Sequence, residues 1–179
     1  MTVFEQAFAF VVGHEGGYDA TTADPGNWTG GAVGRGELRG TKFGISAAAY
    51  PTRDIANLTE ADARAIYQRD YWDRVRGDDL PPQLALLVFD AAVNNGVGQA
   101  ARWLQEAVGT TADGAIGPDT LAALKRTIAE GSVSTVCAEV LAQRTIFMSA
   151  LPTWRAFGLG WARRLCALPY ESLAMAAVG

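Results

Sequence analysis

Two carboxylates nine residues apart, Glu15 and Asp24, are the side chains of this 179-residue sequence best placed for acid–base chemistry. Glu15 follows an apolar helical pattern and precedes a glycine pair that should end the helix, so the helix dipole and partial burial should raise its pKa. Asp24 begins a polar Asp-Pro-Gly turn and should stay ionised. One protonated and one ionised carboxyl suit the cleavage of a glycosidic bond. The first protonates the leaving oxygen, and the second assists water or stabilises positive charge.

A simpler interpretation is that Glu15 is a solvated helix end, and the spacing alone does not decide between the two. The segment that follows, residues 18–44, is rich in glycine and lacks apolar periodicity, which is typical of a functional loop or a small irregular sheet. Near its end Thr41 precedes Gly44-Ile45. This combination resembles the active-site segment of phage-type lysozymes, in which a Glu and an Asp nine residues apart are followed by a Thr in a hairpin.

Several separated motifs, in the same order along nearly the whole chain, resemble glycoside hydrolase family 108, the bacterial and phage N-acetylmuramidases. They are Glu15-Gly16-Gly17-Tyr18, Asp24-Pro25-Gly26, Thr41-Lys42-Phe43-Gly44-Ile45, and residues 66–73 and 89–96. The resemblance implies hydrolysis of the β-1,4 bond between N-acetylmuramic acid and N-acetylglucosamine in peptidoglycan. It also implies that Glu15 is the catalytic acid, with Asp24 and Thr41 as candidates for positioning the water or stabilising the transition state.

The chain departs from the family pattern in one place. An enlarged loop, residues 27–39, separates Asp24-Pro25-Gly26 from Thr41. Thr29 also lies close to Asp24 in sequence, so it is a second candidate for the threonine. The enlarged loop is expected to leave Trp28 free to form a lip of the cleft.

Six side chains are candidates for substrate binding: Tyr18, Trp28, Tyr71, Trp72, Asn94 and Asn95. Aromatic faces suit sugar rings and equally suit packing, so Tyr71 and Trp72 are interpreted as half core and half cleft wall. The two asparagines precede Gly96, and they either cap a helix or bind an N-acetyl group.

Residues 98–127 are similar to the peptidoglycan-binding repeat, in which a Leu-Gln helix, an Asp-Gly turn and a Gly-x-x-Thr helix start recur. The corresponding residues are Leu104-Gln105, Asp113-Gly114 and Gly117-Pro118-Asp119-Thr120. Glycine permits the tight turn, and proline begins a helix without losing a hydrogen bond. Helical spacing favours core positions over a sugar platform for Trp103, Leu104, Leu121 and Leu124.

Helical patterns dominate the sequence and predict seven helices with at most a minor β element. The first begins at a capping box of Thr2 and Glu5 and should end at the Gly16-Gly17 pair, and the last should span about 154–170. With the resemblance, the predicted fold is mainly α: a lysozyme-like helical fold with a small irregular or β segment near the N-terminus and C-terminal helices packed on it. Residues 1–95 are predicted to form the catalytic region, and residues 96–179 a peptidoglycan-binding-like helical region packed against it, since no linker separates them.

The composition is that of a compact globular protein, with 49% hydrophobic residues and a net charge of −4. The sequence has no dense cluster of Lys and Arg residues, so a nucleic-acid partner is not expected. Two cysteines and one histidine form no known zinc pattern, so no metal or cofactor is expected, and Cys137 and Cys166 are predicted to be buried thiols.

The sequence also bears on where the protein acts. No apolar stretch is long enough for a membrane span, and the N-terminus lacks the features of a signal peptide. We therefore expect a monomer that is made in the bacterial cytoplasm and acts on peptidoglycan strands in the periplasm or cell wall. A holin-type partner would release it, as for an endolysin.

Two other functions stay open at this point. A lytic transglycosylase would keep Glu15 but use the muramic acid 6-hydroxyl in place of water, although the presence of Asp24 disfavours it. A non-catalytic wall-binding module would need Glu15 only as a helix end.

Overall fold

Helices dominate the computed structural model, which describes residues 1–13 and 17–176. Within these ranges seven α-helices occur: α1 (Val3–Val12), α2 (Glu60–Tyr67), α3 (Pro82–Asn95), α4 (Val97–Ala107), α5 (Pro118–Glu130), α6 (Val133–Ser149) and α7 (Trp154–Ala176). One antiparallel hairpin pairs β1 (Thr41–Lys42) with β2 (Ile45–Ser46), with Thr41 opposite Ser46. The prediction of a mainly α fold with a small β segment near the N-terminus is confirmed.

The start of α1 is the predicted capping box, but its end differs from the prediction. The Thr2 amide donates to Glu5 Oε2 at 2.7 Å, and the Glu5 amide donates to Thr2 Oγ1 at 3.1 Å. The helix ends at Val12, because Gly13 adopts a left-handed φ of 68° while its amide still donates to the carbonyl of Ala9. The predicted stop at Gly16-Gly17 is therefore wrong, and Glu15 itself lies outside the described residues.

The chain divides into two compact units. One comprises residues 8–68, and the other comprises residues 1–7 together with residues 69–179. We call them the 8–68 unit and the 69–179 unit. The division predicted at residues 95 and 96 follows sequence motifs instead, and it stays a prediction.

In the 69–179 unit, α3 is the central helix. It packs against α4, α6 and α7, and every residue from Leu84 to Ala92 is buried. A helix that is apolar on nearly all sides must be enclosed by others. Pro82 lies in its first turn, and Gly96 follows its last residue with a φ of 90°, the positions that proline and glycine favour at the two ends of a helix.

A buried ionic cluster joins three of these helices. Asp90 of α3 is fully buried, and its Oδ2 accepts from Arg144 of α6 at 2.6 Å, while its Oδ1 accepts from Nε of Arg164 of α7 at 2.7 Å. Nε of Arg144 also donates to Oδ1 of Asn95 at 2.9 Å. The cluster fixes the relative position of α3, α6 and α7, because each partner satisfies a group that cannot reach water.

A buried glutamine holds the connection between α4 and α5. Nε2 of Gln105 donates to Asp113 Oδ1, the Ala115 carbonyl and Thr120 Oγ1, and its Oε1 accepts from the Gly114 amide at 2.9 Å. The hydrogen bond from Gln105 is the main reason that the pKa of Asp113 is lowered. These are the residues of the repeat-like motif, so inside this unit the motif closes a turn.

Helix α7 extends six residues beyond its predicted end. It passes through Pro169, which removes one backbone hydrogen bond, and continues to Ala176. Leu168 and Met175 are buried on either side of the proline. Their burial offsets the lost hydrogen bond and keeps the last turns helical.

The two cysteines differ in environment. Cys137 is buried, and burial raises the pKa of its thiol to about 11. Cys166 is exposed on α7, so the prediction of two buried thiols is wrong for this residue. Within the described part of the chain, no helix is both long enough and apolar enough to cross a membrane.

Candidate active site

The predicted active-site segment belongs to the 8–68 unit, where a two-residue backbone bridge joins its two ends. The Asp19 amide donates to the Thr41 carbonyl at 2.9 Å, and the Thr41 amide donates to the Asp19 carbonyl at 2.8 Å. Asp19 directly follows the Glu-Gly-Gly-Tyr motif, and Thr41 begins the Thr-x-x-Gly-Ile motif. The bridge therefore brings together two motifs that the enlarged loop separates in sequence.

Asn27 lies at the centre of this arrangement and is fully buried. Its Nδ2 donates to Asp19 Oδ2 at 2.9 Å and to the Thr21 carbonyl at 3.1 Å, and its Oδ1 accepts from the Thr41 hydroxyl at 2.7 Å. Its backbone carbonyl accepts from the amides of Arg39 and Gly40. One side chain thus links residues 19–21, the start of the enlarged loop and strand β1.

Asp19 is held in its ionised form. The Thr21 hydroxyl donates to its Oδ1 at 2.6 Å, and together with the bond from Asn27 this lowers the pKa of Asp19. A carboxylate that only accepts hydrogen bonds is favoured over its protonated form.

Asp24 caps the short 3₁₀ turn Pro25–Asn27. Its Oδ1 accepts from the Gly26 amide at 2.8 Å, and its backbone carbonyl accepts from the Asn27 amide. The side chain is exposed. The predicted polar turn is present, and it leads directly into the buried asparagine.

Hydrogen bonds within the enlarged loop hold its two sides together. Trp28 bridges to Leu38, the Thr29 amide donates to the Glu37 carbonyl, and the Gly30 amide donates to the Arg35 carbonyl. Thr29 Oγ1 accepts from the Glu37 amide at 2.9 Å, so this hydroxyl serves the loop. Of the two candidate threonines, only Thr41 contacts the Asp19–Asn27 pair.

Trp28 is half-buried and is not a free lip. Its indole N–H donates to the Thr22 carbonyl at 2.9 Å, which ties the base of the enlarged loop to the preceding turn. The expectation that the loop leaves Trp28 free is therefore wrong.

Tyr18 lies over the backbone of Gly40 beside an open depression of about 420 Å³. The ring is 46% exposed, and its hydroxyl donates to the Arg39 carbonyl at 3.3 Å. A Cβ at Gly40 would lie 2.5 Å from Cε2 of Tyr18, so only glycine permits this close approach. The depression is lined by Tyr18, Leu38, Arg39, Asp54, Ile55 and Ala56.

The β1–β2 hairpin is supported from α2. The Tyr67 hydroxyl donates to the Phe43 carbonyl at 3.1 Å, and it lies 2.5 Å from where a Cβ of Gly44 would be. Tyr67 also packs edge-on against Phe8, with ring centroids 5.6 Å apart. The glycine of the Thr-x-x-Gly-Ile motif is therefore needed for this contact.

The other four predicted substrate-binding residues belong to the 69–179 unit. Trp72 is fully buried against the rings of Phe4 and Phe89, each at 5.4 Å, and its indole N–H donates to Asp78. It is a core residue, so its predicted role as cleft wall is wrong. Tyr71 is half-buried.

The two asparagines of this unit have structural partners. Asn94 donates from Nδ2 to the Asp90 carbonyl at 2.8 Å within α3, and Asn95 accepts from Arg144 in the ionic cluster. Of the two interpretations, these bonds favour the structural one for Asn95, while the side chain of Asn94 is exposed.

Comparison with known proteins identifies the family. A family model described as Glycosyl hydrolase 108 matches residues 8–96, and one described as Predicted Peptidoglycan domain matches residues 99–166. The solved structure of Brucella abortus SagA is similar over 97% of this chain and 95% of that chain, with 31% sequence identity and a TM-score of 0.78. The chain belongs to glycosyl hydrolase family 108. No curated protein sequence matches it.

Membership of family 108, together with the peptidoglycan domain, confirms the predicted enzyme class, fold, function and substrate partner. The chain is a glycoside hydrolase with a mainly α, lysozyme-like fold. Together with the match to the peptidoglycan domain, family membership shows that the chain is a peptidoglycan-degrading lysozyme of the N-acetylmuramidase type. Its partner is peptidoglycan.

Sequence reasoning missed Asp19 and Asn27 in this family 108 chain. Asp19 directly follows the Glu-Gly-Gly-Tyr motif, and Asn27 begins the enlarged loop, so both positions were marked by their neighbours. Their contact depends on the bridge between Asp19 and Thr41, which no local pattern predicts. Asp90 gave a clearer signal, because a carboxylate in an otherwise apolar helix needs a buried partner.

Proposed function

We propose that Glu15 is the general acid of this muramidase and that Asp24 and Thr41 assist the attacking water or the transition state. The observation that carries the proposal is the backbone bridge between Asp19 and Thr41, because it joins the segment after Glu15 to the motif that supplies Thr41. Glu15 lies outside the described residues, so its assignment rests on the family motif.

The reaction needs two carboxyl groups and one water molecule. The protonated carboxyl of Glu15 gives its proton to the glycosidic oxygen as the bond to the anomeric carbon breaks. Water then forms the new bond at that carbon and loses a proton to a carboxylate. Asp24 suits this role, since its side chain is exposed and, among the described residues, its Oδ1 accepts one hydrogen bond, from the Gly26 amide.

The depression beside Tyr18 is proposed to hold one sugar of the glycan strand. An exposed aromatic face suits stacking on a sugar ring, and Arg39 and Asp54 supply polar groups at its edge. Trp28, Tyr71 and Asn94 are kept as further candidates for substrate contact, whereas Trp72 and Asn95 are not.

The organisation of the protein is part of the proposal. Residues 1–95 are the catalytic region and residues 96–179 the wall-binding region packed against it, supported by the two family matches. The protein acts as a monomer in the periplasm or cell wall after synthesis in the bacterial cytoplasm, and a holin-type partner releases it, as in phage endolysins.

The test is a digest of purified peptidoglycan by the wild type and by Glu15→Gln, with the fragments identified by mass spectrometry. We expect muropeptides with reducing muramic acid ends from the wild type and a loss of about 10²–10⁴-fold in rate in the variant. Glu60→Gln, an exposed carboxylate on α2, is the matched control and should keep full activity.

The other outcomes each identify a different function. Anhydromuramic ends would indicate a lytic transglycosylase. Fragments cut within the peptide stems would mean that the two-carboxylate mechanism is wrong. Wall binding without any fragments, from folded protein, would indicate a binding module.

A further inference from the structure

We propose that Asp19 and Asn27 are positioning residues that fix the direction of the Thr41 hydroxyl, so that Thr41 can only accept a hydrogen bond from the attacking water. This inference rests on the proposed role of Thr41 in catalysis. It adds two residues, Asp19 and Asn27, that lie outside the motifs of Glu15, Asp24 and Thr41 described above.

The direction of each bond follows from the chemistry of the groups. An ionised carboxylate and a backbone carbonyl can only accept hydrogen bonds. Asn27 faces both, through Asp19 Oδ2 at 2.9 Å and the Thr21 carbonyl at 3.1 Å, so its amide nitrogen must point toward them. Its Oδ1 then points at the Thr41 hydroxyl, 2.7 Å away, which must donate.

The chain of bonds is held in place by its surroundings. Asn27 is fully buried, its amide donates to the Asp24 carbonyl, and its carbonyl accepts from the amides of Arg39 and Gly40. Asp19 and Thr41 are fixed to each other by the backbone bridge. Reversing the side-chain amide would set its oxygen against two acceptors, which is costly for a buried group.

The consequence concerns the water. Since its one proton is committed to Asn27, Thr41 Oγ1 offers lone pairs only, and within the described ranges it has no other hydrogen-bond partner. A water that donates one hydrogen bond to Oγ1 keeps this proton and has a lone pair directed away from Thr41. That lone pair forms the bond to the anomeric carbon as the glycosidic bond breaks. Glu15 supplies the leaving oxygen with its proton, and the water's second proton passes to Asp24.

A double-mutant cycle in the full-length protein tests the proposal. Asp19→Asn introduces a hydrogen-bond donor beside Asn27, so the side-chain amide of Asn27 and the Thr41 hydroxyl no longer have a fixed direction. Thr41→Val removes the hydroxyl at nearly constant side-chain volume. We expect Asp19→Asn to lower kcat about tenfold with little change in KM. In the Thr41→Val background we expect the same substitution to have no further effect on kcat.

Asp62→Asn is the matched control, because Asp62 also has a lowered pKa and its carboxylate accepts from the hydroxyl of Thr59, but at the start of α2. It should leave kcat unchanged, and Thr41→Ser, which keeps the hydroxyl, should restore most of the activity lost in Thr41→Val. Thermal unfolding of every variant separates loss of folding from loss of function.

Two results would overturn the inference. An equal loss of kcat on Asp19→Asn with and without the Thr41 hydroxyl would make Asp19 a structural residue. An unchanged kcat in Asp19→Asn would show that the direction does not matter. Full activity in Thr41→Val would instead refute the proposed role of Thr41 itself.

Discussion

Asp90 lies fully buried in α3 and shares its two carboxylate oxygens between arginines of two other helices. Taking a carboxylate and a guanidinium out of water is costly, and their mutual attraction repays the cost only when every group is paired. Here both oxygens accept, and Arg144 also donates to Asn95. The cluster therefore specifies how three helices meet.

Removing one of the two arginines that pair with Asp90 should strongly destabilise the folded protein. We expect Arg144→Met to lower the free energy of unfolding by about 3–5 kcal/mol, because it leaves a buried carboxylate with one cation in place of two. Urea denaturation followed by circular dichroism measures the change. Arg163→Met, at an exposed position of α7, is the control and should change stability by less than about 0.5 kcal/mol. Equal midpoints for the two variants would contradict the structural role of the cluster.

At the scale of elements, a glycine permits the burial of Trp72. Gly77 begins a short 3₁₀ turn, and its Cα lies directly against the indole ring, so a Cβ there would overlap Cε2 of Trp72. The same ring packs on Phe4 and Phe89. The start of the first helix, the segment after α2 and the central helix of the 69–179 unit thus meet at one side chain.

A pair of alanine substitutions tests this contact. Gly77→Ala should lower the free energy of unfolding by about 1–3 kcal/mol, because the added methyl overpacks a filled site. Gly160→Ala, in an open part of α7, should instead raise it by about 0.5–1 kcal/mol through helix propensity. Chemical denaturation of both variants measures whether each substitution raises or lowers the free energy of unfolding. A neutral Gly77→Ala would show that the indole can move aside.

Local sequence signals predicted most of these elements because helix ends are determined by neighbouring residues. The capping box of α1, formed by Thr2 and Glu5, and Gly96 after α3 each act within one turn. The prediction failed at two helix ends. Gly13 ends α1 through its own left-handed φ before the glycine pair is reached, and buried residues carry α7 through Pro169.

The candidate site shows the same limit. The motifs indicated Tyr18, Asp24 and Thr41, but the partner of Thr41 is an asparagine fourteen residues earlier, across an inserted loop. Trp72 was assigned to the cleft because an aromatic ring suits both a sugar and a core, and only packing distinguishes the two.

The whole molecule should lose stability in acid. Three aspartates have a lowered pKa in the folded state: Asp19 through Thr21 and Asn27, Asp62 through Thr59, and Asp113 through Gln105. A depressed folded-state pKa gives stability that is present above the unfolded value of about 3.9 and is lost as pH falls through the folded value.

The urea midpoint should therefore be nearly constant from about pH 7 to pH 5 and fall below about pH 4. Asp62→Asn cannot titrate, so this variant should be less stable at neutral pH and show a shallower fall in acid. Midpoints measured across the range for both proteins check this. The same slope in both would mean that Asp62 titrates alike in the folded and unfolded chains.

The enlarged loop has a consequence for engineering. The two ends of the loop meet at Asn27, and the backbone hydrogen bonds of Thr29 and Gly30 across the loop close it before its tip. At the tip, Val33 is 58% exposed. Lengthening a closed loop costs entropy only as the logarithm of its length. A peptide tag or tether spliced in after Val33 would thus leave the residues around Thr41 as they are. The insertion gives this enzyme a natural attachment point from which it can be anchored to a surface without blocking either terminus.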